Sequence, residues 1–306
     1  LTSSYKLHPF GTMNNNKKSF IESHNEISKS MSVTAGALSG LIVRFCIAPI
    51  DIIKIRLQLF NDPIKYNSIT STIRSIYLNE GINAFWKGNT PAELMYIVYG
   101  ASQFWAFTTL TNHINLNLNP TLKNLFIGGL SGCFATTVSY PLDLLRTRLA
   151  SNDKHNFKSL LKECKLIYSN NGIIGFFTGA SISMFYVTIN TGLSFSSYSF
   201  IINNYKLINY SPINELINNI GGITSIAGIS AGIISKTLVY PMDLIKRRIQ
   251  INNTNWLITL QNVIKLNGFK GLYRGLLPAL LKSAPATGIS LFCYEFFINL
   301  FKKYPF

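Results

Sequence analysis

Asp51 and Lys54, Asp143 and Arg146, and Asp243 and Lys246 are three acid–base pairs, each three residues apart. On a helix that spacing sets the two side chains on neighbouring faces. They can pair with each other, or each can reach a partner on another helix. An ionised Asp inside a lipid-spanning helix needs such a partner, because an unpaired charge there is costly. Each pair lies in one longer pattern: proline, any residue, Asp, two apolar residues, base, any residue, base. It begins at Pro49, Pro141 and Pro241, starts that are 92 and 100 residues apart. A pattern used three times in 306 residues makes the chain three copies of one unit.

A second group of cations breaks this symmetry. Five residues before the prolines stand Arg44, Thr136 and Lys236, equivalent by the repeat. Lys282, just ahead of Pro285, adds a further cation. Arg44, Lys236 and Lys282 together suit an anion such as a diphosphate, with arginine able to bind two oxygens at once. The alternative is that they snorkel, or pair with Glu93 or Glu295. Two polar stripes have helical spacing: Tyr186, Asn190 and Ser194, and Tyr99 with Gln103, alongside Tyr96. In a lipid-spanning helix such a stripe should face a water-filled cavity. Its aromatic rings could stack on a heteroaromatic ligand or hold a cationic ring. Helix–helix hydrogen bonding is the competing explanation.

The elements that must position these residues are membrane spans. Charged residues are 13% of the chain and apolar residues 47%, low charge for a soluble domain. Residues 94–122, 124–142, 166–205 and 216–235 contain no Asp, Glu, Lys or Arg. Each is long enough for a span of about 20 residues. With less clean spans at either end of the chain, the count is six, two per repeat. Odd spans are expected at 32–60, 122–150 and 217–250, kinked by their prolines. Even spans are expected at 90–112, 179–203 and 275–300. Gly36 and Gly40, Gly128 and Gly132, and Gly228 and Gly232 precede the three prolines in register, as GxxxG motifs that let helices approach closely. Between the spans lie amphipathic stretches. Ile69, Ile73, Ile76 and Tyr77 mark one face, repeated by Phe157, Leu160, Leu161 and Cys164 and by Trp256, Leu260 and Ile264. They are too polar to span and suit the membrane interface. Each ends in a glycine motif: Glu80-Gly81 to Gly88, Asn171-Gly172 to Gly179, and Asn267-Gly268 to Gly275. Residues 1–29 read as a disordered tail, followed by repeats at 30–116, 117–210 and 211–306.

A net charge of +16 raises the question of nucleic acid, but the bases form no single stripe and several lie inside spans. No nucleic-acid partner is expected. Cys46, Cys133, Cys164 and Cys293 are far apart and suit small core positions rather than zinc or disulfides. His8, His24, His113 and His155 lie outside the spans or at their ends. With no Ser/His/Asp constellation, phosphate loop or metal-ligand spacing, neither an enzyme, a cofactor nor a metal is expected.

The three proline motifs with their glycine motifs resemble the mitochondrial carrier family, over about residues 30–303. The resemblance implies an all-α fold of six transmembrane helices in three pseudo-symmetric repeats of about 100 residues, around a central cavity. The short amphipathic helices would lie on the matrix side and both termini would face the intermembrane space. It implies the inner mitochondrial membrane as the site of action, lipid including cardiolipin as a partner, and a protein functional as a monomer. It also implies a matrix gate in which Asp51 pairs with Arg146, Asp143 with Lys246 and Asp243 with Lys54. Gln58 and Gln250 would brace two of these pairs, while Ala150 stands at the third brace position. Family contact positions fall at Tyr186 and Val187 and near Met95. At the opposite end the family's acid and base positions carry Thr108 and Thr111, Ser199 and Ile202, and Glu295 and Ile298. An ionic gate there should be weak or absent. Segments 48–59, 85–89, 99–104, 139–149 and 272–275 narrow the resemblance to the branch that carries thiamine pyrophosphate, in exchange for thiamine monophosphate or a nucleotide. An adenine nucleotide, coenzyme A or another phosphorylated cofactor is the alternative cargo. A non-transporting scaffold or proton-leak protein is the alternative class.

Overall fold

The computed structural model describes residues 29–60, 62, 65–113, 120–153, 159–205 and 222–303. The expected N-terminal tail up to residue 28, and Phe157, His8, His24 and His155, lie outside the described residues. Each third of the chain runs long helix, short helix, tight turn, long helix. The first is α1 (Lys29–Leu59), α2 (Ile69–Glu80) and α3 (Asn89–His113). The second is α4 (Pro120–Ala150), α5 (Leu160–Asn171) and α6 (Ala180–Tyr205). The third is α7 (Gly222–Asn252), α8 (Trp256–Asn267), α9 (Leu276–Leu281) and α10 (Ser283–Lys303). Among the described residues there is no strand.

The short helices are started and stopped by local chemistry. Ser68 opens α2 with a reciprocal capping box to Ser71, and the Asn255 side chain caps α8. Gly81, Gly172 and Gly268 end α2, α5 and α8 at positive φ, each donating its N–H back to the last turn. Each short helix also buries a stripe against protein. In α2 it is Thr72, Ile76 and Glu80, whereas Ile73 and Tyr77 are exposed. Leu161 and Trp256 are exposed likewise. Exposed apolar side chains on such a helix suit the membrane interface.

The last even span also differs from expectation: it is interrupted at Lys282, between α9 and α10. Pro285 has no N–H to give the Leu281 carbonyl, so the ladder breaks there. Pro49, Pro141 and Pro241, by contrast, lie inside continuous helices.

The chain forms two compact units. One, residues 44–285, holds three equivalent small cores where an odd helix meets its short helix. They are Ile52, Ile55, Ile76 and Phe85; Tyr140, Leu144 and Ile167; and Leu244, Val263 and Leu272. Burying a side chain such as Ile76 is worth roughly 1.5–3 kcal/mol. The other unit joins the residues before 44 to those after 285, around Ala35, Ile298 and Phe301. Outward faces stay apolar: Phe104, Phe185, Phe200 and Phe292 are mostly exposed, as a lipid-facing surface requires. Segments Thr34–Leu59, Ile173–Asn204 and Phe269–Lys302 are long and apolar enough to cross a membrane.

Of the GxxxG glycines, only Gly132 has a neighbour near where a Cβ would sit, with Val187 Cγ1 at 3.5 Å. Gly36, Gly40, Gly128, Gly228 and Gly232 face open space instead of a closely packed helix.

Candidate functional site

The C-terminal halves of α1, α4 and α7, which begin at the three prolines, lie together, and with them the six charges of the repeated motif. Arg146 Nη2 lies 2.7 Å from Asp51 Oδ2, Lys246 Nζ 2.8 Å from Asp143 Oδ2, and Lys54 Nζ 2.6 Å from Asp243 Oδ2. Each pair joins two different odd helices, and all six residues are buried. Gln58 Nε2 donates to Asp243 Oδ2 and to the Tyr240 hydroxyl, at 3.3 and 3.1 Å. Gln250 Nε2 donates to Asp143 Oδ2 and to the Tyr140 hydroxyl, both at 3.2 Å. Ala150, at the third such position, is fully buried.

The tyrosines pass the contact on. Tyr140 donates to the Thr178 carbonyl at 2.6 Å and Tyr240 to the Arg274 carbonyl at 2.8 Å. Both carbonyls precede the glycines that open the even helices. In the first repeat Ala48 replaces this tyrosine and the tie runs the other way. Trp86 Nε1 donates to the Phe45 carbonyl at 3.0 Å, with the two rings stacked 5.3 Å apart. Phe45 is the residue whose carbonyl Pro49 would have bonded had it an N–H, so the indole satisfies the acceptor that the proline orphans. Gly88, two residues on, has φ +75, and a Cβ there would lie 2.8 Å from the Arg146 carbonyl. Only glycine permits so close an approach of the α3 entry to α4.

Four further cations join the ring. Arg44 Nη1 and Lys282 Nζ lie 3.1 and 2.7 Å from Asp51, so their partner is that carboxylate rather than Glu93 or Glu295. Glu93 instead accepts from Asn89 at 2.7 Å. Lys236 Nζ contacts the Tyr186 hydroxyl at 2.5 Å and stands 4.0 Å from Asp243. Arg247 reaches Asp143 Oδ1 at 2.9 Å and also bonds Thr147 and Gln250. Seven cations thus surround three carboxylates. Burial of so many like charges is unfavourable unless anions answer them.

The sequence-selected contact residues fall into two groups rather than one. Arg44, Lys236, Lys282 and Tyr186 belong to the charged cluster. Tyr99, Gln103 and Val187 line a cavity of about 540 Å³ between α3, α4 and α6, with Ser131, Thr191 and Phe195. Tyr99 interacts through its hydroxyl with Thr136, the residue that replaces a cation in the second repeat. Asn190 Oδ1 is buried without a hydrogen-bond partner, and Ser194 donates to Ser235 at 2.8 Å. Met95 is half-buried in α3, beside Tyr96, whose ring carries the Arg44 guanidinium 4.1 Å from its centroid. Thr108 and Thr111 bond back to carbonyls of their own helix.

Arg247, Tyr140, Tyr240 and Ser183, which accepts from Lys246 at 2.7 Å, were not singled out in the sequence. A signal existed for the tyrosines. They precede the prolines only in repeats two and three, and the two glutamines that meet them are the only two at the brace position. Arg247 occupies the unrestricted position of the motif, where Ile55 and Thr147 stand in the other copies, so nothing marked it. Among the cysteines, Cys46 is exposed, against expectation, while burial pushes the Cys164 thiol up in α5.

A second set of contacts flanks the ring. Arg56 Nη2 donates to the Asn152 carbonyl at 2.5 Å, Arg148 Nε to that of Gln250 at 3.2 Å, and Arg248 Nε to that of Gln58 at 3.0 Å. Arg56 also pairs with Glu80 at 2.9 Å, which Lys87 meets at 2.5 Å.

The family model described as "Mitochondrial carrier protein" matches residues 26–118, 117–207 and 222–305. The chain belongs to the mitochondrial carrier protein family. Three relatives are each named mitochondrial thiamine pyrophosphate carrier 1. That of Kluyveromyces lactis is 36% identical over 93% of this chain and 95% of its own. That of Candida glabrata is 35% identical over 93% and 99%, and that of Phaeosphaeria nodorum 37% over 89% and 92%. Membership accounts for the all-α fold in three repeats, and for the recurrence of the ring motif at the same point of each.

Proposed function

We propose that this protein carries thiamine pyrophosphate across the mitochondrial inner membrane, in exchange for thiamine monophosphate or a nucleotide. The observation that carries this reading is the excess of buried and half-buried cations over carboxylates around the ring, in a chain whose relatives bear that cargo's name. The diphosphate would be held by Arg44, Lys236 and Lys282, and the rings by Tyr186 and Tyr99. Val187, Asn190, Gln103 and Met95 would complete the contacts. In this reading the pairs of Asp51, Asp143 and Asp243 with Arg146, Lys246 and Lys54 are the matrix gate. Gln58 and Gln250 brace it, and Pro49, Pro141 and Pro241 turn its residues inward. Breaking the ring would expose the same cavity to the other side. The termini would face the intermembrane space, and the protein would act as a monomer in a cardiolipin-containing bilayer.

Uptake of labelled thiamine pyrophosphate into liposomes carrying the purified protein tests the proposal. The vesicles are preloaded with unlabelled diphosphate, thiamine monophosphate or ADP. Saturable uptake that Arg44→Ala abolishes is the expected result. ADP-for-ADP exchange without diphosphate uptake would replace the cargo with a nucleotide.

A further inference from the structure

The cavity between α3, α4 and α6 adjoins the charged cluster but shares none of its charge. Its walls come from the charge-free runs 94–122, 124–142 and 166–205, and among the described residues none that lines it is charged. At about 540 Å³ it can hold a small ligand. The two regions meet on two helices. On α6, Tyr186 contacts Lys236 while its neighbour Val187 lines the cavity. On α3, Tyr96 lies under the Arg44 guanidinium, and Tyr99, almost one turn on, lines the cavity. The repeat would place a third cation here, but Thr136 stands where the other copies have Arg44 and Lys236. Thr136 is buried, and Tyr99 interacts with it through its own hydroxyl. The hydroxyls around the cavity have already committed their protons. Thr136 donates to the Gly132 carbonyl at 2.7 Å, Ser131 to that of Gly128 at 3.0 Å, and Thr191 to that of Val187 at 2.8 Å. A hydroxyl so committed has only oxygen lone pairs left to offer. Together with the rings of Tyr99, Phe107 and Phe195, they give the cavity an electron-rich lining.

We infer that this cavity takes a positively charged heteroaromatic ring, and that Thr136 determines specificity by leaving out the third cation. The inference rests on the reading that the cargo is thiamine pyrophosphate, which has a cationic thiazolium at one end and an anionic diphosphate at the other. Its two ends match two regions that touch. Aromatic faces and oxygen lone pairs attract a cationic ring. An ammonium at position 136 would repel it, since like charges set side by side away from water are strongly unfavourable. A nucleotide makes no such demand, because its base is uncharged at neutral pH. The missing cation therefore selects between two phosphorylated cargoes that the charged cluster alone would treat alike.

Titration of the purified full-length chain with thiamine pyrophosphate and with its deaza analogue tests this. The analogue keeps the shape and the diphosphate but has an uncharged thiophene in place of the thiazolium. The native protein should bind the charged ligand several-fold more tightly. Thr136→Lys should reverse that preference, changing the ratio of the two affinities by about tenfold or more. It should still bind inorganic pyrophosphate at least as well as the native protein, which shows that the variant is folded. Thr136→Gln adds bulk without charge and should keep the preference. Equal affinity of the native protein for the two ligands, or the same effect from Thr136→Gln as from Thr136→Lys, overturns the inference. Should Thr136→Lys not fold, Gln103→Lys sets an ammonium in the same cavity from α3 and must give the same reversal. An unchanged preference in that variant overturns the inference too. The readout is a ratio of binding affinities, so the two proposals can fail separately. The charge preference in a protein that does not move thiamine pyrophosphate retires that cargo and keeps the site. Transport of thiamine pyrophosphate without the preference keeps the cargo and removes the site.

Discussion

Gln58 and Gln250 each do two things: they donate to a ring carboxylate, and they hold the tyrosine that ties a proline-containing helix to the next even helix. A hydrogen bond to a charged group contributes about 1.5–3 kcal/mol. Gln58→Ala and Gln250→Ala should each lower the melting temperature of the purified protein, because an ion pair of the ring loses its support, and, if the ring is the proposed gate, speed substrate exchange. Equal melting and unchanged exchange would show that the glutamines are bystanders. The two glutamines were legible in the sequence because they fall at a fixed distance from each base. The Tyr140 and Tyr240 partnership was not, since it joins residues about a hundred or more positions apart and only the folded helices bring them together. The destination of Arg44 and Lys282 was hidden for a related reason. Their spacing marks them as buried cations, but the carboxylate that receives them already had a partner assigned by the repeat.

At the scale of the element, the first repeat solves the proline problem differently from the others. Trp86 supplies the N–H that Pro49 withholds from the Phe45 carbonyl. Trp86→Phe keeps the stacked ring and loses the donor, at a cost of about 1 kcal/mol. In a Pro49→Ala background the helix regains its own N–H, so the same Trp86→Phe change should cost almost nothing. Thermal melts of the four proteins form a double-mutant cycle that reads this coupling. Additive effects would mean that the indole contact is incidental. Long-helix boundaries were readable to within a few residues from charge-free runs, prolines and capping glycines. The break at Lys282 was not, although Pro285 was in plain view. Pro49, Pro141 and Pro241 sit in helices that continue through them, and what distinguishes Pro285 is its position near a helix start, where another helix can end instead.

For the whole molecule, the surplus of buried cations sets the response to salt. Monovalent salt screens exposed charges and leaves buried ones nearly untouched. A bound anion stabilises by mass action, by about 2.7 kcal/mol at a hundred times its dissociation constant. Melting temperature should therefore change little with sodium chloride and rise with sulfate and further with pyrophosphate, at matched ionic strength. A response to ionic strength alone would place the surplus charge at the surface. The threefold repeat was plain in the sequence, since a motif of eight positions used three times leaves little room for chance. The order in which the repeats hold one another was not. Arg56 of the first repeat grips the second at Asn152, Arg148 of the second grips the third at Gln250, and Arg248 of the third grips the first at Gln58. The handholds therefore close on themselves, like three people each holding the next one's wrist. Such a loop has no outermost member from which to unzip. Letting go at one place leaves two grips still resisting, so partial release gains almost no freedom. If this end is the gate of the proposed transport cycle, it should yield all at once, and a half-open passage through which protons could leak should find no stable arrangement.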